Sequence, residues 1–166
     1  MDIHLHSHRM IARQPDWTVA AIAGFGAGGI LMLAELAFAM AMGSDPWRTP
    51  RLVAAFLMGD AALQTTGYSA AVLAAALAVH YLLGAAFGVA LACLIAPFQL
   101  DSSLGMVLLT GFGFGLALYL FNFYVMTSAF PWFAEMRDGY TLLGHVVFGM
   151  AAAWIYRWLE RPYVQA

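Results

Sequence analysis

Four polar side chains stand inside long apolar runs, and their types can do chemistry. Glu35 is a carboxylate, His80 and His145 are imidazoles, and Asn122 is an amide. An ionised carboxylate at membrane depth is costly, so intramembrane acids are rare and are usually paired or functional. Imidazole titrates near neutrality and ligates metals and haem iron. Three chemistries follow. The four groups hydrogen-bond one another as internal glue, at about 0.6–2 kcal/mol per bond. Alternatively, Glu35 and the histidines move protons or hold a divalent metal. In a third reading, His80 and His145 face each other and ligate one haem b, with Arg48, Arg51 and Arg137 near its propionates. The residues favour no bound cofactor over haem or metal.

The elements that must carry these groups are helices that span a membrane. Of the 166 residues, 63% are hydrophobic and 10% charged, against about 25% charged in soluble domains. Mean hydropathy is +0.79. These values exclude a soluble enzyme, a disordered chain and a nucleic-acid binder. Residues 17–44 hold one charge, Glu35, and residues 61–100, 102–134 and 139–156 hold none. A spanning helix needs about 20 mostly apolar residues, and strand alternation is absent. The pattern predicts an all-α four-helix integral membrane bundle, a single domain over 1–166. The spans fall near 17–42, 69–97, 104–129 and 139–160. Thr49-Pro50 reads as N-cap and first helical residue of a short interfacial helix near 50–59. Trp47, Trp132 and Trp158 fall near span ends, where they would anchor the interface. The aromatic loop Phe130–Glu135 reads the same way.

The runs repeat. Gly24-Phe25-Gly26-Ala27-Gly28 matches Gly111-Phe112-Gly113-Phe114-Gly115 at an offset of 87 residues, and Glu35 then meets Asn122. Pro46-Trp47 answers Pro131-Trp132, and His80 with Gly84 answers His145 with Gly149. This predicts two parallel two-helix repeats, 17–97 and 104–160, about a pseudo-twofold axis along the membrane normal. Gly24, Gly28, Gly84, Gly111, Gly115 and Gly149 would form close helix-packing faces. At about 1.5 Å per residue, Glu35, Asn122 and His145 lie about 8–10 Å below the interface opposite the termini, and His80 about 15 Å.

The remaining signals are weaker. His4, His6 and His8 alternate near the N-terminus and could bind a divalent metal, although a solvated tail explains them as well. Cys93 reads as a small packing residue. The termini carry Arg9, Arg13, Arg157 and Arg161, against Arg48, Arg51 and Arg137 in the opposite loops. This places the termini in the cytoplasm by the positive-inside rule.

The segments Asp45-Pro46-Trp47, Pro50-Arg51, His80 with Gly84 and Gly88, and Asn122-Phe123-Tyr124 also form a pattern. So do Phe130-Pro131-Trp132-Phe133-Ala134-Glu135 and His145 with Phe148-Gly149. Together, over most of residues 44–156, they resemble a family of small four-helix inner-membrane proteins of proteobacteria, some labelled sodium:proline symporters. The resemblance implies the fold and a bacterial inner membrane, and no established activity. With no positioned nucleophile, phosphate loop or paired carboxylates, the sequence predicts a non-enzyme. The expected function is an accessory subunit of a larger membrane complex or a homo-oligomer, in contact with lipid and a protein partner. The alternative is proton or metal transport, or haem binding, through the Glu/His/Asn cluster.

Overall fold

The structure is a computed structural model that describes residues 13–160. Arg9, Arg161 and the His4, His6 and His8 tract lie outside the described residues. The described chain is all-helical. Its elements are α1 (Trp17–Ala41), α2 (Arg48–Met58), α3 (Asp60–Leu63), α4 (Ala70–Phe98), α5 (Leu104–Leu120) and α6 (Gly139–Glu160). After α5 the chain continues as a π-helical turn, Phe121–Val125, and a 3-10 turn, Met126–Ser128. A second 3-10 segment, Pro131–Met136, leads to α6.

Four helical stretches are long and apolar enough to cross a membrane: Trp17–Ala41, Ala70–Phe98, Leu104–Ser128 and Gly139–Glu160. The chain is therefore a multi-pass all-α bundle. Each span opens on a side chain that accepts a hydrogen bond from a first-turn N–H. Asp16 takes Val19 (3.0 Å), Ser69 takes Val72 (3.5 Å), Ser103 takes Met106 (3.1 Å) and Asp138 takes Thr141 (2.7 Å). Such caps satisfy donors that the helix itself leaves orphaned.

Without a hydrophobic drive between helices in lipid, close van der Waals contact holds the bundle. Glycine supplies it in two pairs. In the α1–α4 pair, Gly24 lies against Gly84 and Gly88, and a Cβ on any of the three would meet the facing backbone. In the α5–α6 pair, Gly111 and Gly115 lie against Gly149 and the His145 carbonyl, with the same consequence. Gly28 approaches His80 instead, where a Cβ would sit 3.4 Å from Nε2. Beyond the pairs, α1 also packs along α6, whereas α4 and α5 touch only slightly. A two-fold relating the pairs would make these contacts equivalent, so the packing of the whole bundle departs from it.

The half of the bundle at the chain ends is dense. Ala20, Ala23, Ile95, Val107 and Tyr156 are buried there. Arg13 pins this end by bridging Asp101 (2.8 Å) and Glu160 (3.0 Å). The opposite half, called here the far half, is roofed by α2 and the Pro131–Met136 segment, joined through a cluster of Leu52, Phe123, Phe133 and Met136.

Three local expectations are corrected. The interfacial helix starts at Arg48, with Trp47 and not Thr49 at its cap. Pro50 falls inside the first turn, where its missing N–H costs nothing because that donor has no intrahelical acceptor. The Asp45 carboxylate instead takes the Trp47 N–H at 2.9 Å. Trp132 turns inward and donates its indole N–H to the Leu52 carbonyl (3.1 Å). The aromatic loop is thus a roof fixed to α2, while Trp158 is exposed. Cys93, read as a packing residue, is exposed on the outer face of α4.

Candidate functional site

The looseness between α4 and α5 leaves space. A cavity of about 270 Å³ occupies the far half, and Glu35, His80, Asn122 and His145 all line it. Each arrives on a different element or turn: Glu35 from the last third of α1, His80 from the middle of α4, His145 from the second turn of α6. Asn122 comes from the π-helical turn. Apart from Thr49 the rest of the wall is apolar, with Phe56, Phe87 and Phe148 among its aromatic rings. Leu83 and Phe121 line the cavity and are also 36% and 48% exposed. The cavity therefore reaches the outer surface between α4 and α5, at a depth that faces lipid.

The hydrogen bonds decide which ring nitrogens carry protons. His145 Nδ1 lies 2.9 Å from the Thr141 carbonyl one turn back on its own helix. A carbonyl only accepts, so Nδ1 carries the hydrogen. His145 Nε2 then accepts from Asn122 Nδ2 at 3.4 Å. His80 is held the other way. Its Nε2 lies 2.8 Å from the Gly28 carbonyl on α1, so Nε2 carries the hydrogen and Nδ1 is left as the acceptor. Glu35 leans toward α6, where a Cβ on Gly144 would come within 3.9 Å of Oε1. Among the described residues, no donor lies within hydrogen-bonding distance of its carboxylate.

A feature that the sequence reading missed presents Asn122. π-Helical turns are rare and favour functional sites, because the extra residue loosens the backbone ladder and re-aims a side chain. Here Arg137 clamps the turn. Its Nε donates to the Phe123 carbonyl, its Nη2 donates to Thr127 Oγ1 at 2.8 Å, and its guanidinium lies 4.7 Å from the centre of the Tyr124 ring. The only signal in the sequence was an arginine next to an apolar run.

A second cavity of about 330 Å³ lies between α1, α2 and α4 and shares Glu35, His80, Thr49 and Val53 with the first. Glu35 and His80 thus stand on the partition between two spaces.

The arrangement bears on the candidate ligands. Among the described residues, no three His, Cys, Asp or Glu side chains gather at one point. His80 spends Nε2 on Gly28, which disfavours a haem held through both imidazole Nε2 atoms. The six glycines expected at packing faces are spent within the chain, so they supply no surface for a partner protein. Compared with known protein families, curated proteins and solved structures, the chain matches none.

Proposed function

We propose that this multi-pass membrane protein holds a small amphipathic molecule, taken from the membrane, in the cavity around Glu35, His80, Asn122 and His145. The observation that carries this reading is the presence of Glu35, His80, Asn122 and His145 in the wall of one largely apolar cavity that opens toward lipid. Ligand sites generally combine an apolar wall with a few placed polar groups. If these groups served only as glue they would be paired with one another, yet Glu35 lies in the wall with no donor among the described residues. The reading contains no catalytic step. The dense packing and the Arg13 bridges at the chain-end half support binding over passage through the membrane.

Two finer points belong to the same proposal. The matched glycine contacts of the α1–α4 and α5–α6 pairs support descent from a duplicated helix pair. The arginine excess at the chain ends supports cytoplasmic termini.

A ligand that binds the folded state raises its stability by mass action. Thermal melting in lipid nanodiscs should therefore rise with single-ring amphiphiles. The rise should be absent in Val53→Phe, which fills the cavity from α2. Identical melting of the wild type with and without every compound would overturn the reading.

A further inference from the structure

The polar inventory of the cavity points to the chemistry of its occupant, an inference that rests on the binding reading above. Both imidazoles have committed their N–H groups to carbonyls, His145 to Thr141 and His80 to Gly28. The second nitrogen of His145 is taken by Asn122, while Nδ1 of His80 is left open as an acceptor. Asn122 directs an amide hydrogen to His145 and retains its carbonyl oxygen. Glu35 adds a carboxylate without a donor among the described residues. Apart from the Thr49 hydroxyl and the second Asn122 amide hydrogen, the open polar atoms are thus acceptors, and the set carries a formal negative charge when Glu35 is ionised.

That set suits one class of molecule. A carboxyl in an apolar wall stays ionised only beside a counter-charge, because an isolated buried charge is far costlier than a paired one. An anion would meet the carboxylate. A neutral carbonyl compound would find few donors. A metal ion needs ligands gathered at a point, and the described side chains are spread along the wall. An organic cation bearing N–H groups pairs with the carboxylate and does not need the other acceptors to gather at one point. Phe56, Phe87 and Phe148 in the wall suit a cation as well, since aromatic rings attract one at their faces. Size agrees: a cavity of about 150 Å³ accepts benzene, and this one measures about 270 Å³.

We infer that the cavity takes an organic monocation, an ammonium head set against Glu35 with a flat apolar body among the phenylalanine rings, entering from lipid between α4 and α5.

Three probes with the same phenylethyl body test this: 2-phenylethylamine (cationic at neutral pH), 2-phenylethanol (neutral) and phenylacetate (anionic). Each is titrated calorimetrically into the full chain in phosphatidylcholine nanodiscs, with empty nanodiscs subtracted. The amine should bind at least about tenfold tighter than the alcohol, and the acetate should not bind. Glu35→Gln should erase the amine's advantage, and Glu35→Asp should keep most of it. Equal binding of amine and alcohol, or an advantage that survives in Glu35→Gln, would overturn the cation inference while leaving a binding cavity in place. If no probe binds, both the inference and the cavity reading fall. Should Glu35→Gln not fold, the wild-type series still decides.

Discussion

The α1–α4 and α5–α6 pairs share a frame and differ in what they do with it. In both, glycines bring two backbones into contact, and a histidine stands near the contact. In the first pair His80 reaches across to the Gly28 carbonyl, so its bond ties two helices together. In the second, His145 bonds back to Thr141 on its own helix and turns Nε2 toward Asn122. The first pair keeps α1 regular through Glu35. The second breaks α5 into a π-helical turn at the matching place. Close glycine packing fixes where the helices run, and the polar residue beside it is then free to serve packing or to serve a cavity. One pair does mostly the first and the other mostly the second.

The largest expected effect tests the shared frame. Gly24→Val and Gly115→Val should each lose about 3 kcal/mol, because an added side chain meets backbone that cannot move aside. Gly113 has open space where its Cβ would be. Gly113→Ala should gain up to about 1 kcal/mol from helix propensity. Reversible unfolding in mixed micelles reads both. Equal losses at all three positions would remove the frame from the account.

The next effect tests what is peculiar to the second pair. Arg137→Leu should cost about 2 kcal/mol by leaving the Phe123 carbonyl without its donor. Hydrogen exchange should rise at residues 121–127 and stay unchanged in α1. A smaller contrast compares the histidines. His80→Phe should cost about 1 kcal/mol for its lost interhelical bond, and His145→Phe less, because its bond to Asn122 is longer, 3.4 Å against 2.8 Å, measured by the same unfolding assay.

The smallest effect lies outside the membrane. The Arg51 guanidinium, helped by the Trp47 N–H, holds the Asp45 carboxyl below the usual carboxylate range. Its stabilising contribution is complete above that ordinary value and is lost as pH falls through the lowered one. Trp47 fluorescence should report a slight loosening of the start of α2 on acidification below about pH 4. Asp45→Asn should show no such acid step.

Much of the fold was legible because membrane spans are written in long uninterrupted runs. The runs around Ala23, Ala92, Leu118 and Ala152 could form nothing but helices in lipid. The four polar residues stood out for the same reason, as interruptions in an apolar text. What the sequence concealed depends on partners distant along the chain. Thr49-Pro50 looked like a helix start, but the Asp45–Trp47 bond begins the helix earlier. Trp132 looked like an anchor until Leu52, 80 residues away, supplied its acceptor. The π-helical turn needs Arg137 from beyond the next loop, and no local propensity announces it. The repeat pattern likewise carried no sign that α1 packs along α6 while α4 and α5 stand apart.

The account's central claim is that each histidine commits a ring N–H to a backbone carbonyl, in opposite tautomers, which leaves Nδ1 of His80 open to the cavity and Nε2 of His145 to Asn122. Solid-state 15N NMR of the protein in bilayers, with His4, His6 and His8 replaced by Gln, measures this directly. His80→Gln and His145→Gln assign the two signals. The account predicts His145 protonated at Nδ1 and His80 protonated at Nε2 in the unliganded protein. Two rings in the same tautomer, or either ring carrying both protons, would contradict it.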